Sequence, residues 1–113
     1  MALSNPVMTA SGTAGHSDEL AAYGSLASLG AHVVKSLAAR PWAGNPPPRV
    51  TQRGAGMLNS VGLAGPGLEW WLENDLPRLV DTGVAVVVSI WGASVADFAN
   101  AAQMLTAHRE GIV

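Results

Sequence analysis

Few side chains in this sequence are equipped for chemistry, and the best of them fall at the ends of apolar runs. Lys35 closes "HVVK". An ammonium at a strand mouth offers three donors and can neutralise a developing negative charge; a lysine whose stem snorkels off a strand end looks the same in sequence. Asn59 interrupts an apolar run within "RGAGMLNSVGLAGPG", residues 53–67, which holds five glycines. An amide there can donate to and accept from a heterocycle or carboxylate, with Gly56 and Gly62 allowing close backbone approach to a flat ligand. An Asn that bonds its own backbone in a turn is the simpler account. The stretch suits neither a regular helix nor a regular strand. Ser11 and Gly12 follow a first apolar run, where small residues form a tight turn or leave room for a ring.

Other polar residues are weaker candidates. His16, His32 and His108 have no metal-ligand spacing, His16 and Asp18 do not suggest a triad, and no G-x-S-x-G is present. His108 near a helix end is explained by the helix dipole, and Glu69, Glu73, Asp75 and Arg78 by solvation on a helix surface. Of the adjacent Trp70 and Trp71, one is expected in the core and the other at an interface.

The elements that must position these residues alternate. "NPVMTAS" (5–11) predicts a strand with a glycine turn after it; "SDELAAYGSLASLG" (17–30) a helix capped at Ser17 or Asp18 and closed by Gly30; "AHVVKSL" (31–37) a second strand. Residues 38–65, rich in Pro and Gly, form a loop too long to be an idle connection, hence functional or disordered. "PGLEWWLENDLPRLVDTG" (66–83) predicts a helix started by Pro66, kinked or restarted at Pro77 and ended by Gly83. "VAVVVSIWG" (84–92) reads as a strand buried on both faces, and "SVADFANAAQMLTAHREG" (94–111) as a helix capped by Ser94, with Val95, Phe98, Ala102 and Leu105 on its apolar face and Gly111 as its C-cap. Ile112 and Val113 predict the start of a fourth strand. The order β-α-β-loop-α-β-α implies a parallel sheet with helices outside it. A doubly wound dinucleotide fold needs G-x-G-x-x-G in the first strand-to-helix turn; "SGTAGH" lacks that spacing, and "GAGMLN" carries Asn59 at its last position and lies in the long loop. The alternative is a (β/α)8 barrel, with function at the strand ends "TASG", "VKSL" and "SIWG".

Bulk properties narrow the function classes. The 113 residues suit one small domain, 49% apolar and 12% charged, with a net charge of -2. No basic run marks a nucleic-acid footprint. The chain has no Cys, which excludes disulfides and thiolate metal sites. The N-terminus lacks the features of a signal peptide, and "VAVVV" is too short to span a bilayer. A soluble, cytoplasmic protein is expected.

Four motifs in order, "NPVMTASGTAG", "GAHVVKS", "GNPPPRV" and "GMLNSVGLAGPG", resemble the N-terminal part of class 1 dihydroorotate dehydrogenases, the B-type more than the A-type. The resemblance runs from about Asn5 to Val113. It implies a partial (β/α)8 TIM barrel, an α/β fold comprising about the first three βα units, FMN as cofactor, and oxidation of dihydroorotate to orotate in pyrimidine biosynthesis. By the same resemblance Ala10, Ser11 and Gly12 lie against FMN, Lys35 touches FMN and orotate, Ser36 contacts FMN, and Asn59, Ser60, Val61, Gly62 and Leu63 form the substrate loop. Ser89 stands where an Asn commonly contacts FMN; Ala64-Gly65 replaces a common Gln-Asn, and "GTAGH" replaces "GTFGY". The catalytic base of class 1, a cysteine, falls beyond Val113. The resemblance further implies an iron–sulfur flavoprotein electron-transfer subunit as partner, and a homo-oligomer is a further possibility. The chain is accordingly expected to be marginally stable and inactive by itself. A flavin-binding half-barrel without chemistry, a remnant, and a dihydropyrimidine dehydrogenase-like flavin domain are the alternatives; "NPPPRV" and "GMLNSVGL" favour dihydroorotate dehydrogenase over the last.

Overall fold

The computed structural model describes residues 2–108 and 110–113. Extended segments pair in parallel in the order in which they occur along the chain. Met8 bridges Ala31, β1 (His32–Val33) pairs with β4 (Val86–Val87), Leu37 bridges Ile90, and Val86 bridges Ile112. The last bridge is the start of the expected fourth strand. The result is an α/β fold with a parallel sheet.

The first strand is shorter than its sequence predicts. Its pairing stops after Met8 because the Thr9 hydroxyl takes over the ladder: it accepts from the Val33 N–H (2.8 Å) and donates to the Val33 carbonyl (3.3 Å). The helix expected over 17–30 is replaced by two short 3-10 turns, Glu19–Tyr23 and Leu26–Ser28. Two local causes are visible. The Glu19 carboxylate accepts from the N–H groups of His16 (3.2 Å) and Ser17 (2.8 Å), folding back on the turn before it, and Gly24 is extended and breaks the run.

The long 38–65 segment is neither disordered nor without regular structure. It contains an antiparallel hairpin, β2 (Val50–Arg53) and β3 (Gly56–Asn59), with Arg53 opposite Gly56 across a two-residue turn. Gly54 has φ +59° and Ala55 does not have a positive φ, the pattern of a II′ turn, which matches the twist of the flanking strands. "RGAG" is therefore a hairpin signal, and the expectation that "GMLN" suits no regular strand is corrected.

The helical region 66–83 is two helices, α1 (Leu68–Asn74) and α2 (Leu76–Asp81), with Pro77 in the first turn of α2, so the proline restarts the helix rather than kinking it. α3 (Val95–Thr106) opens on a full capping box: the Ser94 hydroxyl accepts from the Asp97 N–H at 3.2 Å, and the Asp97 carboxylate accepts from the Ser94 N–H at 3.0 Å. It ends at Thr106, not at Gly111; Arg109, within the expected span, lies outside the described residues. Its buried face is also shifted. Ala101 is fully buried and Met104 and Leu105 pack beside it, whereas Val95 is 87% exposed and Phe98 and Ala102 are exposed.

The core joins Val34, Leu37, Val84 and Val86 of the strands to Leu68, Trp71, Leu72, Leu76 and Leu79 of α1–α2 and to Ala101 of α3. Trp71 is the buried member of the tryptophan pair and donates from Nε1 to the His16 carbonyl (2.7 Å), while Trp70 is exposed. Asp75, expected on the surface, is buried beside Ser17, and Arg78 pairs with Asp18 instead of a helix neighbour. Burial raises the Asp75 carboxyl above its ordinary range.

His32 is fully buried on β1, and neither ring nitrogen finds a hydrogen-bond partner among the described residues. Burial holds its pKa below the ordinary 6.5, against the pull of Glu19. His16 is lowered as well, first by burial and then by the Lys35 charge, against the pull of Asp75 and Glu19. In the window just below 6.5 the unfolded chain binds more protons than the folded one, so stability increases with pH there. The thermal midpoint is expected to fall as pH drops from about 7.5 to about 5.5, and His32→Leu to flatten that slope. An unchanged slope in the variant would show that His32 is not the group responsible.

Candidate functional site

The site is built at the C-terminal ends of the parallel segments. The register of β1 and β4 changes along their length: His32 stands opposite Val86 and Val33 opposite Val87, but Leu37 opposite Ile90. Segment 32–37 therefore uses one residue more than segment 86–90 over this stretch, which is a bulge at Lys35–Ser36. The backbone bonds follow it, with Val34 N–H donating to the Val87 carbonyl (3.0 Å) and Leu37 N–H to the Ser89 carbonyl (2.9 Å).

Ser36, released by this bulge, meets Ser89: their hydroxyl oxygens are 2.8 Å apart. Ser36 also lies 3.3 Å from the Ser11 hydroxyl, which donates to the Val34 carbonyl at 2.9 Å. The structure thus joins three expected flavin contacts from three successive strand ends. Each hydroxyl has a single proton. Since Ser11 spends its proton on Val34, Ser36 donates to Ser11 and Ser89 donates to Ser36. The cluster then offers a ligand only lone pairs.

Lys35 supplies the complementary group. Its backbone N–H donates to the Gly15 carbonyl (2.9 Å), and a Cβ built on Gly12 would stand 3.9 Å from its Cγ, so the turn after the first strand runs along the lysine stem. Ala10 closes that turn by accepting from the Thr13 hydroxyl (2.6 Å) and N–H (3.1 Å). Lys35 has no carboxylate partner among the described residues, whose ion pair is Arg78–Asp18.

The expected substrate loop is a separate construction. Asn59 is the last residue of β3 and is exposed. Ser60 N–H donates to the Arg49 carbonyl (2.8 Å), and the Asn45 amide donates to the Ser60 carbonyl (2.8 Å) and hydroxyl (2.9 Å). Asn45 N–H donates to the Val61 carbonyl (3.0 Å), and Trp42 Nε1 to the Gly62 carbonyl (3.0 Å). Gly62 has φ +74° and Leu63 φ +59°, Leu63 being the only non-glycine with positive φ among the described residues. No hydrogen bond joins this loop to the hydroxyl cluster among the described residues.

His16 lies between the two groups. It feels the Lys35 charge, and its Nε2, buried and without a partner among the described residues, would stand 3.4 Å from a Cβ on Gly65 at the base of the loop. Sequence reasoning set His16 aside and did not single out Asn45 or Trp42. "GNPPPRV" contained Asn45, but its service to Ser60 is a tertiary fact. Among the described residues no group of three or more His, Cys, Asp or Glu could hold a metal ion, and no helix is long and apolar enough to cross a membrane.

The α/β fold collects hydroxyls and one lysine at the C-terminal ends of sequentially paired parallel strands, the end at which (β/α)8 barrels carry their sites. The family model for dihydroorotate dehydrogenase matches residues 1–113. The chain is 50% identical over 105 residues to the dihydroorotate dehydrogenase B (NAD(+)) catalytic subunit of Desulforudis audaxviator, covering 93% of this chain and 34% of that protein. Catalytic subunits of the same name from Thermoanaerobacter pseudethanolicus (52% over 103 residues, 91% of this chain and 34% of the other) and Solidesulfovibrio magneticus (44% over 112 residues, 99% and 36%) are also similar. The chain spans about a third of the length of these curated relatives. It belongs to the dihydroorotate dehydrogenase family.

A side chain at position 62 would meet the Asn45 amide at 2.9 Å and would hold φ +74° at a cost of about 1–2 kcal/mol. Gly62→Ala is therefore expected to release the loop. Amide exchange at Asn45 and Ser60 should accelerate at least tenfold, while exchange at Val34 and Leu37 stays unchanged. Equal acceleration everywhere would mean that the loop is not an independent unit.

Proposed function

We propose that this chain carries the strand-end part of the flavin and substrate site of an FMN-dependent dihydroorotate dehydrogenase, which oxidises dihydroorotate to orotate in pyrimidine biosynthesis. Residues 1–113 would be the N-terminal part of a (β/α)8 barrel, about its first three βα units. The observation that carries this reading is the meeting of Ser11, Ser36 and Ser89 from three successive strand ends, with Lys35 beside them. Sequential parallel pairing supports the barrel, because a doubly wound sheet reverses its strand order.

The donor set fits FMN. Ala10 and Gly12 leave a side-chain-poor wall, Ser11, Ser36 and Ser89 present lone pairs to N–H or hydroxyl groups, and the Lys35 ammonium can donate to a ring carbonyl or to the carboxylate of orotate. FMN, when bound, supplies a hydride acceptor. The chain's own residues bind and orient. Lys35 neutralises charge at the shared edge of cofactor and substrate, and Asn59 offers its amide to the pyrimidine while Ser60, Val61, Gly62 and Leu63 close backbone over it. No residue of this chain is assigned as the base. The relatives' name, a catalytic subunit, supports an electron-transfer partner, and we assign that role to an iron–sulfur flavoprotein.

Titration of the chain with FMN, followed by flavin fluorescence with sedimentation as a control, tests the reading. Saturable binding is expected, and Lys35→Ala should weaken it by about 10- to 100-fold, the loss of one charge-assisted hydrogen bond. A folded chain that does not saturate, or a Lys35→Ala variant that binds equally well, would overturn it.

A further inference from the structure

The charges of this chain are segregated along its length. Between Glu19 and Glu69 stand four cations, Lys35, Arg40, Arg49 and Arg53, and no carboxylate; all eight carboxylates lie at or outside these bounds. The fold places the four around the strand ends and the 42–65 loop. Lys35 lies along the Gly12 turn. The Arg40 guanidinium stacks on the Trp42 ring at 4.6 Å, and Trp42 in turn donates to Gly62. Arg49 donates to the carbonyls of Ala43 and Asn45, each at 3.2 Å. Arg53 closes the exposed hairpin at its turn.

None of the four forms an ion pair among the described residues. Asp97 shares with Arg40 the lining of a cavity of about 100 Å³, and its carboxylate, which also accepts from the N–H groups of Ala93 (2.9 Å) and Ser94 (3.0 Å), attracts the Arg40 charge and partly offsets it. Cations outside ion pairs act beyond contact, over a Debye length of about 8 Å at physiological salt and farther at low salt, and such fields raise association rates by about 10- to 1,000-fold. Arg49 is occupied in holding the loop. Arg53 has no such duty.

Resting on the flavin and substrate reading above, we propose that this carboxylate-free stretch is an electrostatic collar that draws anionic ligands to the strand-end site. Arg53, at the hairpin's turn, acts at a distance and does not touch the bound ligand. The chemistry selected is an anion, whether a phosphate monoester or a ring carboxylate; a neutral ring of the same shape gains nothing from it.

FMN and riboflavin separate the collar from the pocket, because they share a ring and differ in the phosphate. Stopped-flow association of each with the chain is to be measured at low salt and at about 0.5 M salt, where screening is nearly complete. With Arg53→Gln, FMN association is expected to slow about threefold at low salt, and with Arg53→Glu about tenfold, converging with the parent at high salt. Riboflavin should be indifferent to both variants and to salt. Equal effects on the two flavins, or an FMN rate that ignores salt, would overturn the collar while leaving the flavin site intact. If neither flavin binds, the proposed function falls, and the collar is judged on inorganic phosphate. Resonance shifts confined to residues around Lys35, Arg40 and Arg53 would sustain it, and a response that is uniform or absent would overturn it.

Discussion

The pairing of β1 with β4 begins with His32 opposite Val86 and closes with Leu37 opposite Ile90, so the first segment spends an extra residue on the way. Strict strand alternation would send Val34 and Leu37, three apart, to opposite faces. Both nevertheless enter the hydrophobic core, alongside Trp71 and Leu79. The bulge is what reconciles them, and it leaves the two intervening residues, Lys35 and Ser36, outside the core and half-buried at the strand end. Packing and site are thus one constraint. The core holds Val34 and Leu37 at the ends of the bulge, and that fixes where the ammonium and the first hydroxyl can stand.

A second constraint governs the loop. Trp42 exchanges backbone bonds with Gly65, donates from its indole to Gly62, meets Trp91 edge-on with centroids 5.8 Å apart, and carries Arg40 on its face. Since the Trp91 N–H donates to the Leu37 carbonyl, the loop is tethered to the end of the sheet itself. Such anchoring lets the segment sustain the positive φ of Leu63, which unanchored backbone would relax. The hairpin beyond it buries nothing: every residue from Val50 to Asn59 is exposed, including Met57 and Leu58. An isolated two-stranded ribbon is marginal in water, so its order comes from its base, where Arg49 and Asn45 hold both strands' roots.

What the sequence disclosed and what it withheld divide along physical lines. Alternation of apolar runs with capped helical segments disclosed the parallel α/β order, and Ser94 with Asp97 disclosed the start of α3, because caps and periodicity are local. The 17–30 helix failed because propensity there is overridden by Glu19, which bonds backbone before the turn instead of supporting a helix after it, and by the extended Gly24, which breaks the run. The buried face of α3 was misplaced by position, not by pattern: Ala101 touches the core because α1 lies there, and no periodicity of α3 alone reports that. Of the site, Ser11, Lys35 and Asn59 were legible as polar residues at the ends of apolar runs. The bulge that aligns Ser36 with Ser89 was not, since it is a difference between two registers set by different strands.

The hydroxyl chain gives the replacement of a common amide by Ser89 a physical sense. An amide brings both a donor and an acceptor to a ligand. Ser89 commits its single proton to Ser36, at 2.8 Å, if Ser36 is to serve Ser11 and Ser11 is to serve the Val34 carbonyl. All three protons are then used within the cluster and on the Val34 carbonyl, and none is left to donate to a ligand. Donation at this end of the sheet falls to the Lys35 ammonium. Under the function proposed above, a ring that suits both would carry carbonyl or carboxylate oxygens on one edge and an N–H or hydroxyl on the other. Shortening the side chain at position 89 thus does not empty the site of polarity. It leaves the Lys35 ammonium as the donor beside a cluster of acceptors.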